Sequence, residues 1–219
     1  MSMNLDNIRV ITHSAVRIAL PNGGALYFDP FDLTDADAAH DARYLFITHP
    51  HYDHLSPKDA ERVMNEKTEV IAPATIAGEV AALGAAKTHL LAPGDELELD
   101  GATVLAVPSY NTDPARLEKH PQERNWLGYV VTIGGVRYYV AGDTDENDDI
   151  DQVSCDVAII PIGGTYTMDP HQAASFVNAI RPQAAIPTHY GNIVGSFEDA
   201  EVFASKVDPS IKVVTKMER

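Results

Sequence analysis

Short runs of apolar, often β-branched residues occupy the first part of the chain and predict β-strands. The second and third of these runs flank a turn signal at 21–24, where a proline and an asparagine precede two glycines. The strands predicted in this region cover residues 8–12, 15–20, 25–28 and 44–47. Because turns separate the first three, this part of the chain is expected to form a β-meander.

Helices are predicted between later strands. Ser56, Pro57 and Asp59 have the pattern of a helix start, with an N-cap, a proline at the first helical position and a carboxylate at the capping-box position. This helix is predicted to end near Asn65. The other predicted elements are helices over 74–83 and from starts at 169–172 and 196–199, and strands near Val70 and Thr88 and over 102–107 and 184–187.

Two apolar runs, 127–133 and 136–141, flank Gly134 and Gly135 and predict a β-hairpin. Both glycines tolerate the positive φ that a two-residue hairpin turn requires. Strands and helices are thus mixed along the chain. No linker, low-complexity tract or repeat interrupts the sequence, so a single domain over 1–219 is predicted.

Charge and composition exclude several kinds of partner. Acidic residues outnumber basic ones 32 to 16, and a formal charge of −16 repels nucleic acid unless basic residues gather on one face. The single cysteine, Cys155, cannot form an internal disulfide, which suits a reducing cytoplasm. No segment approaches the roughly 18 apolar residues of a membrane span. A soluble, cytoplasmic protein without a membrane partner is expected.

Potential metal ligands are concentrated directly after the predicted strand 44–47. The four are His49, His51, Asp53 and His54. Side chains two apart on extended backbone point the same way, so His49 and His51 can share an ion. The turn that follows can aim Asp53 and His54 at a neighbouring position. Imidazole and carboxylate suit zinc, and iron or manganese less decisively; the alternative is a histidine-rich surface loop.

Two later predicted strands also end in a potential ligand. Run 136–141 leads to Asp143, and run 184–187 leads to His189. Strand ends are rigid places from which to aim ligands. Gly142 allows a tight turn that would let Asp143 reach inward. The ordinary alternatives are a turn aspartate and a surface or core histidine.

Together these segments resemble the metallo-β-lactamase superfamily. The run 49–54 matches its HxHxDH signature. Asp143 resembles its later metal-bridging aspartate, and His189 looks like its final histidine. Residues 27–30 are similar to its first motif, whose aspartate, here Asp29, supports the site. The overall pattern, including residues 12–15 and 163–166, is closest to the compact branch that includes sugar-acid lactonase-like proteins.

The resemblance implies an α+β fold, a four-layer αββα sandwich, with a binuclear metal site. The ligands that it implies are His49 and His51 for a first ion, Asp53, His54 and His189 for a second, and Asp143 between the two. The first ion would take a third histidine as well. The implied cofactor is Zn²⁺, one or two ions, with Mn²⁺ or iron as alternatives.

The chain departs from the family pattern at that third histidine. Strand 102–107 runs toward Tyr110 and Asn111, where a histidine is expected. His120 could fold back from the following loop and complete the site, or Asn111 could offer its amide oxygen. The position could also be left to water or substrate. Tyr110, Asn111 and His120 therefore stay open as metal or substrate contacts.

Positive charge gathers in the loop 112–126 of this otherwise acidic chain. Arg116, Lys119 and Arg124 lie near His120 in the sequence. A local cationic patch could attract an anionic small-molecule substrate, so Arg116 and Arg124 are candidates for binding a phosphate or carboxylate. The alternative is a mobile charged loop in which these bases pair with neighbouring glutamates.

The resemblance implies metal-dependent hydrolysis. A zinc-type ion lowers the pKa of bound water from about 15.7 toward about 7, so a zinc-activated hydroxide could cleave a small ester, lactone or phosphoester. Asp53 could orient the nucleophile or take up its proton, and Asp29 is the candidate to fix a ligand tautomer. Two alternatives stay open: an iron-dependent oxidoreductase on the same fold, whose members often carry glutamate in place of His51, and a non-catalytic protein stabilised by metal.

Overall fold

The structure, a computed structural model, describes residues 5–219, which divide into two compact units. The first unit runs to Ala92 and also takes in Met217–Arg219, and the second unit is Pro93–Lys216. Each unit contains one β-sheet. The single domain expected over 1–219 stays a prediction. No helix among the described residues is long and apolar enough to cross a membrane.

A six-stranded sheet forms the first unit, with its strands in chain order. They are β1 (Ile8–Thr12), β2 (Ala15–Ala19), β3 (Ala25–Phe28), β4 (Ala42–Phe46), β5 (Glu69–Pro73) and β6 (Lys87–Leu91). The first three form the predicted antiparallel meander, and β3 to β6 are parallel. Parallel neighbours end at the same edge of a sheet. The residues that follow β3 and β4, among them Asp29 and Thr48, therefore meet there.

The helices of the first unit are shorter than the sequence predicts. Helix α1 (Pro57–Val63) begins at the predicted N-cap, where the Ser56 side chain accepts a hydrogen bond from the Asp59 amide. It stops before Asn65, whose side-chain amide donates to the carbonyls of His40 and Ala42 instead. The predicted helix 74–83 is a 3-10 turn, Ala74–Ile76, followed by α2 (Ala77–Ala81).

The second unit is built on a seven-stranded sheet in the order β13-β12-β11-β10-β9-β8-β7. Its strands are β7 (Glu96–Leu99), β8 (Ala102–Pro108), β9 (Leu127–Ile133), β10 (Val136–Val140), β11 (Val157–Pro161), β12 (Ala184–Thr188) and β13 (Lys212–Val213). The predicted hairpin is β9–β10, with Gly134 and Gly135 at φ of 58° and 83°. From β10 to β13 the strands are parallel. Strands β7, β11 and β13 were not predicted.

Two helices complete the second unit. Helix α3 (Pro170–Ile180) has the predicted start, because the Asp169 carboxylate accepts hydrogen bonds from the amides of His171 and Gln172, both at 2.8 Å. Its buried residues include Phe176 and Val177. Helix α4 (Asp199–Lys206) follows the second predicted start. The Ser196 amide donates to the Asp199 carboxylate at 2.7 Å, which fixes the chain at the entry to α4.

Candidate metal centre

Four of the predicted ligands lie in the first unit, in the turn that follows β4. His49, Asp53 and His54 are buried, and His51 is half-buried. His49 Nε2 lies 3.0 Å from His51 Nδ1. Two ligands of one tetrahedral ion, each about 2.0–2.1 Å from the metal, lie about 3.3 Å apart. The spacing of the two ring nitrogens therefore fits a shared ion.

Asp29 fixes the orientation of His54. The Asp29 carboxylate is 1% exposed and accepts a hydrogen bond from His54 Nδ1 at 2.7 Å. With its proton on Nδ1, His54 presents an unprotonated Nε2, which is the form that binds a metal. Burial raises the pKa of Asp29, and the contacts with His54 and Thr48 act in the opposite direction. Asp29 thus has the contact to a ligand histidine for which the sequence made it a candidate.

Thr48 extends this support to His49. The Thr48 hydroxyl donates to Asp29 Oδ2 at 2.6 Å, and the Thr48 amide donates to Asp29 Oδ1 at 2.8 Å. Because the hydroxyl hydrogen is used in this way, the Thr48 oxygen can accept the Nδ1 proton of His49, 2.9 Å away. His49 then presents Nε2 toward His51. One carboxylate therefore sets the tautomers of two histidines.

Asp53 and His54 form a second group of ligand atoms in the first unit, which His13 joins. Asp53 Oδ2 lies 3.8 Å from His54 Nε2 and 3.3 Å from His13 Nε2. The three residues place ligand atoms within 4.8 Å of one another. His13 comes from the β1–β2 turn and was not among the predicted ligands. Its run 12–15 contributed to the family resemblance, which assigned it no metal.

In the second unit, Asp143 lies between two histidines. Its Oδ2 atom is 3.0 Å from His189 Nε2 and 3.3 Å from His120 Nε2. Asp143 is 3% exposed, His120 1% and His189 fully buried. Asp143 follows β10 and His189 follows β12, so the ends of two strands aim both side chains, as the sequence predicts. These spacings again fit ligands of one ion.

The loop after β8 brings His120 back to Asp143. His120 Nδ1 donates a hydrogen bond to Asn111 Oδ1 at 2.9 Å. The backbone N–H of Asn111 donates to the His120 carbonyl at 2.8 Å. His120 Nε2 is therefore the nitrogen that carries a lone pair. The Asn111 side-chain amide donates to the Tyr166 carbonyl at 2.9 Å. Asn111 thus orients His120 much as Asp29 orients His54.

Tyr110 is directed elsewhere. Its hydroxyl donates to the Asp149 carboxylate at 2.9 Å. Burial raises the pKa of Tyr110 to about 12, and the hydrogen bond to Asp149 adds to the effect. The Tyr110 hydroxyl is therefore engaged by Asp149 rather than by a candidate ligand of the second unit.

The loop 112–126 is held by a buried ion pair that the sequence did not reveal. Asp145 accepts hydrogen bonds from the amides of Thr112 and Asp113 and from Arg116 Nε at 2.8 Å. Arg116 is 9% exposed, and its remaining nitrogens donate to the Gly164 carbonyl and to Gln172. Arg116 thus pairs with Asp145 rather than with a neighbouring glutamate of the loop.

These contacts also bear on the two candidate arginines. The guanidinium of Arg116 is engaged by groups of the second unit, so its role as an anion site finds no support in this arrangement. Arg124 lies exposed at the end of the 3-10 helix Gln122–Arg124. Its role as a substrate contact stays a prediction.

A cavity of about 620 Å³ opens beside this loop. Its lining residues are Tyr110, Asn111, Thr112, Leu117, Glu118, Pro121, Gln122 and Glu123. Pockets of this size hold small molecules. Asn111, which lines the cavity, also accepts the hydrogen bond from the candidate ligand His120.

The donor atoms of both units suit a metal. They are imidazole nitrogens and carboxylate oxygens, the ligands that zinc, manganese and iron take from proteins. Within each unit, buried partners hold the candidate ligand rings in place. The residues present therefore fit a metal centre.

A known domain family matches most of the chain. The model of the β-lactamase superfamily domain matches residues 7–189, so the chain belongs to this superfamily, as the resemblance predicted. A UPF0173 metal-dependent hydrolase from Symbiobacterium thermophilum is 30% identical over 213 residues, which cover 91% of each chain. The chain is accordingly a metal-dependent hydrolase, and its predicted status as an enzyme is confirmed.

Solved structures share the fold. A candidate metal-dependent hydrolase from Parabacteroides distasonis superposes with a TM-score of 0.83 at 31% identity, over 97% of this chain and 93% of that one. CmlA, a diiron β-hydroxylase from Streptomyces venezuelae, superposes with a TM-score of 0.73 at 16% identity, over 95% of this chain and 52% of that one. The second likeness concerns the fold alone. The predicted α+β class, with the metallo-β-lactamase fold, is confirmed.

Proposed function

We propose that this metal-dependent hydrolase uses zinc to cleave a small ester or lactone. The proposed ligands of a binuclear centre are His49, His51, Asp53, His54, Asp143 and His189. The observation that carries the proposal is the fixed tautomer of His54, whose Nδ1–H donates a hydrogen bond to the buried Asp29 carboxylate. Histidines that bind metals usually donate their other ring N–H to a carboxylate or carbonyl in this way, which leaves Nε2 unprotonated for the ion.

The six ligands are proposed to form one binuclear centre, as the family resemblance implies. Support comes from the superfamily model, since its match over residues 7–189 includes all six proposed ligands. His120 is proposed as the third histidine of the first ion. Its buried position next to Asp143 supports this role, and the hydrogen bond to Asn111 leaves its Nε2 lone pair available.

When bound, a zinc-type ion supplies Lewis acidity and lowers the pKa of water from about 15.7 toward about 7. The side chains of this protein do the remaining work. Asp53 is proposed to take up the proton lost by the attacking water, because a carboxylate beside the reacting atoms can act as a general base. Asp29, Thr48 and Asn111 keep the ligand rings oriented throughout the reaction.

The cavity beside the loop 112–126 supports a small, uncharged substrate. Its volume of about 620 Å³ suits a molecule of metabolite size. Glu118 and Glu123 are among its lining residues, and Arg116 is engaged by Asp145. Carboxylates repel an anion at short range. An ester or lactone is therefore proposed ahead of a phosphoester. A cytoplasmic location is also proposed, supported by the free, buried thiol of Cys155.

Hydrolysis assays on three classes of small substrate test this proposal. Zinc-loaded protein is assayed on panels of small esters, lactones and phosphodiesters, beside His51→Ala and the exposed-surface control His171→Ala. We expect turnover of an ester or lactone, loss of at least about 100-fold in kcat/KM for His51→Ala, and no change for the control. Turnover of phosphodiesters alone would contradict the proposed substrate class. Activity that requires iron and a reductant would favour oxidative chemistry.

A further inference from the structure

His13 is a fully buried imidazole at the tip of the β1–β2 turn, 40 residues before Asp53 and outside the HxHxDH run. We propose that His13 is a further ligand of the metal ion that Asp53 and His54 hold. The inference rests on the proposed metal-binding role of those two residues. It adds an imidazole that the signature does not contain.

The candidate ligand atoms of His13, Asp53 and His54 lie close together. His13 Nε2 lies 3.3 Å from Asp53 Oδ2, and His54 Nε2 lies 3.8 Å from the same oxygen. Ligands of one tetrahedral ion are expected about 3.3 Å apart. The three ligand atoms all lie within 4.8 Å of one another, so a single ion can reach them with small adjustments.

The backbone of His13 is also in an unusual conformation. His13 has a φ of 48°, in the left-handed region that glycine and asparagine adopt most readily. A β-hairpin tip ordinarily has one of those residues at such a position. At His13 this turn conformation places a fully buried imidazole 3.3 Å from the Asp53 carboxylate.

Two aromatic rings lie near the His13 imidazole ring. Its centroid is 6.2 Å from that of Phe31 and 6.1 Å from that of His54, both in edge-on geometry. These contacts restrict rotation of the imidazole, and its complete burial keeps bulk water from the ring nitrogens. A ligand restrained in this way loses little entropy when it binds an ion. His13 should therefore tighten binding of the ion at Asp53 and His54.

Crystals of the unmodified protein soaked with zinc test the inference directly. We expect an anomalous difference peak about 2.0–2.1 Å from His13 Nε2, Asp53 and His54. A peak on Asp53 and His54 with His13 Nε2 more than about 3 Å away would overturn the inference and leave the proposed function intact. A protein without zinc at Asp53 and His54 would overturn the proposed site and this inference with it.

Variants separate a ligand from a hydrogen-bond donor. His13→Gln keeps an N–H group that can reach Asp53 but removes the imidazole, and His13→Asn suits the left-handed backbone. Titration calorimetry with zinc should show at least about 100-fold weaker binding of one ion in both variants, with His171→Gln unchanged. Thermal unfolding of the metal-free proteins verifies that they fold. Wild-type affinity in His13→Gln would show that His13 only positions Asp53, which contradicts the proposal.

Discussion

Several candidate site residues hold backbone conformations that ordinary residues avoid. Asp29 has a φ of 44° and His189 a φ of 56°, both in the left-handed region. Such conformations cost about 1–3 kcal/mol each and persist only where the surrounding structure enforces them. At Asp29 the hydrogen bonds from Thr48 and His54 supply that constraint. At Asp29 the same contacts that hold this conformation also hold the carboxylate against His54.

Close backbone packing constrains His189. A Cβ atom on Gly163 would lie 2.2 Å from the His189 carbonyl oxygen and 3.3 Å from its Nδ1 atom. Gly163→Ala is therefore expected to displace the His189 ring and destabilise the protein by about 1–3 kcal/mol. Zinc titration and thermal unfolding measure both effects, and we expect zinc affinity to fall at least about tenfold.

Gly78 in α2 is the matched control, because nothing lies within 4 Å of an added Cβ atom there. Gly78→Ala should stabilise the protein by about 1 kcal/mol, since alanine favours helix more than glycine does. Wild-type zinc affinity in a folded Gly163→Ala protein would show that the position of His189 does not govern metal binding.

At the scale of elements, the candidate ligands come from the ends of strands and from the loop that carries His120. Strand ends are fixed by the sheet hydrogen bonds, whereas the loop 112–126 needs anchors of its own. The buried pair of Arg116 and Asp145 provides one, because Asp145 also accepts two loop amides. We infer that this ion pair positions His120.

Arg116→Met removes one partner of that pair and leaves the Asp145 carboxylate buried without its cation. Loss of one partner of a buried pair costs about 3–5 kcal/mol. Hydrogen exchange measured by mass spectrometry should show faster exchange over 112–126, with β9 and β10 protected as before. Arg124→Ala changes an exposed arginine of the same loop and should alter stability by less than about 1 kcal/mol. Equal exchange in both variants would contradict the anchoring role of Arg116.

At the scale of the whole molecule, local patterns predicted most of the structure. Apolar runs and turn residues predicted the β1–β3 meander and the β9–β10 hairpin because both depend on neighbours in sequence. Strand β7 has the alternation of a strand at 96–99, but it is only four residues long and contains glutamate, which is uncommon in strands, and the two-residue β13 is too short to leave a pattern. Strand β11 is buried at all five positions, and periodicity alone does not tell a short continuous apolar run from a helix segment.

In the candidate site, too, the residues close in sequence were predictable and the contacts between distant residues were not. His49, His51, Asp53 and His54 were predictable because they are close in sequence and follow a strand. The contacts of His13 with Asp53 and of Arg116 with Asp145 depend on residues 40 and 29 positions apart, for which a single sequence carries no spacing rule. His120 was an open alternative, since only the folded loop shows that Asn111 turns its ring toward Asp143.

The central claim is that the six proposed ligands hold a binuclear zinc centre, and native mass spectrometry of zinc-loaded protein tests it most directly. The measurement compares the unmodified protein with Asp143→Ala and with the exposed control Asp148→Ala. The account predicts about two zinc ions per chain, unchanged by Asp148→Ala, and weaker binding of both ions in Asp143→Ala. Absence of zinc from the unmodified protein in zinc-replete medium, or Asp143→Ala binding both ions with unchanged affinity, would contradict it.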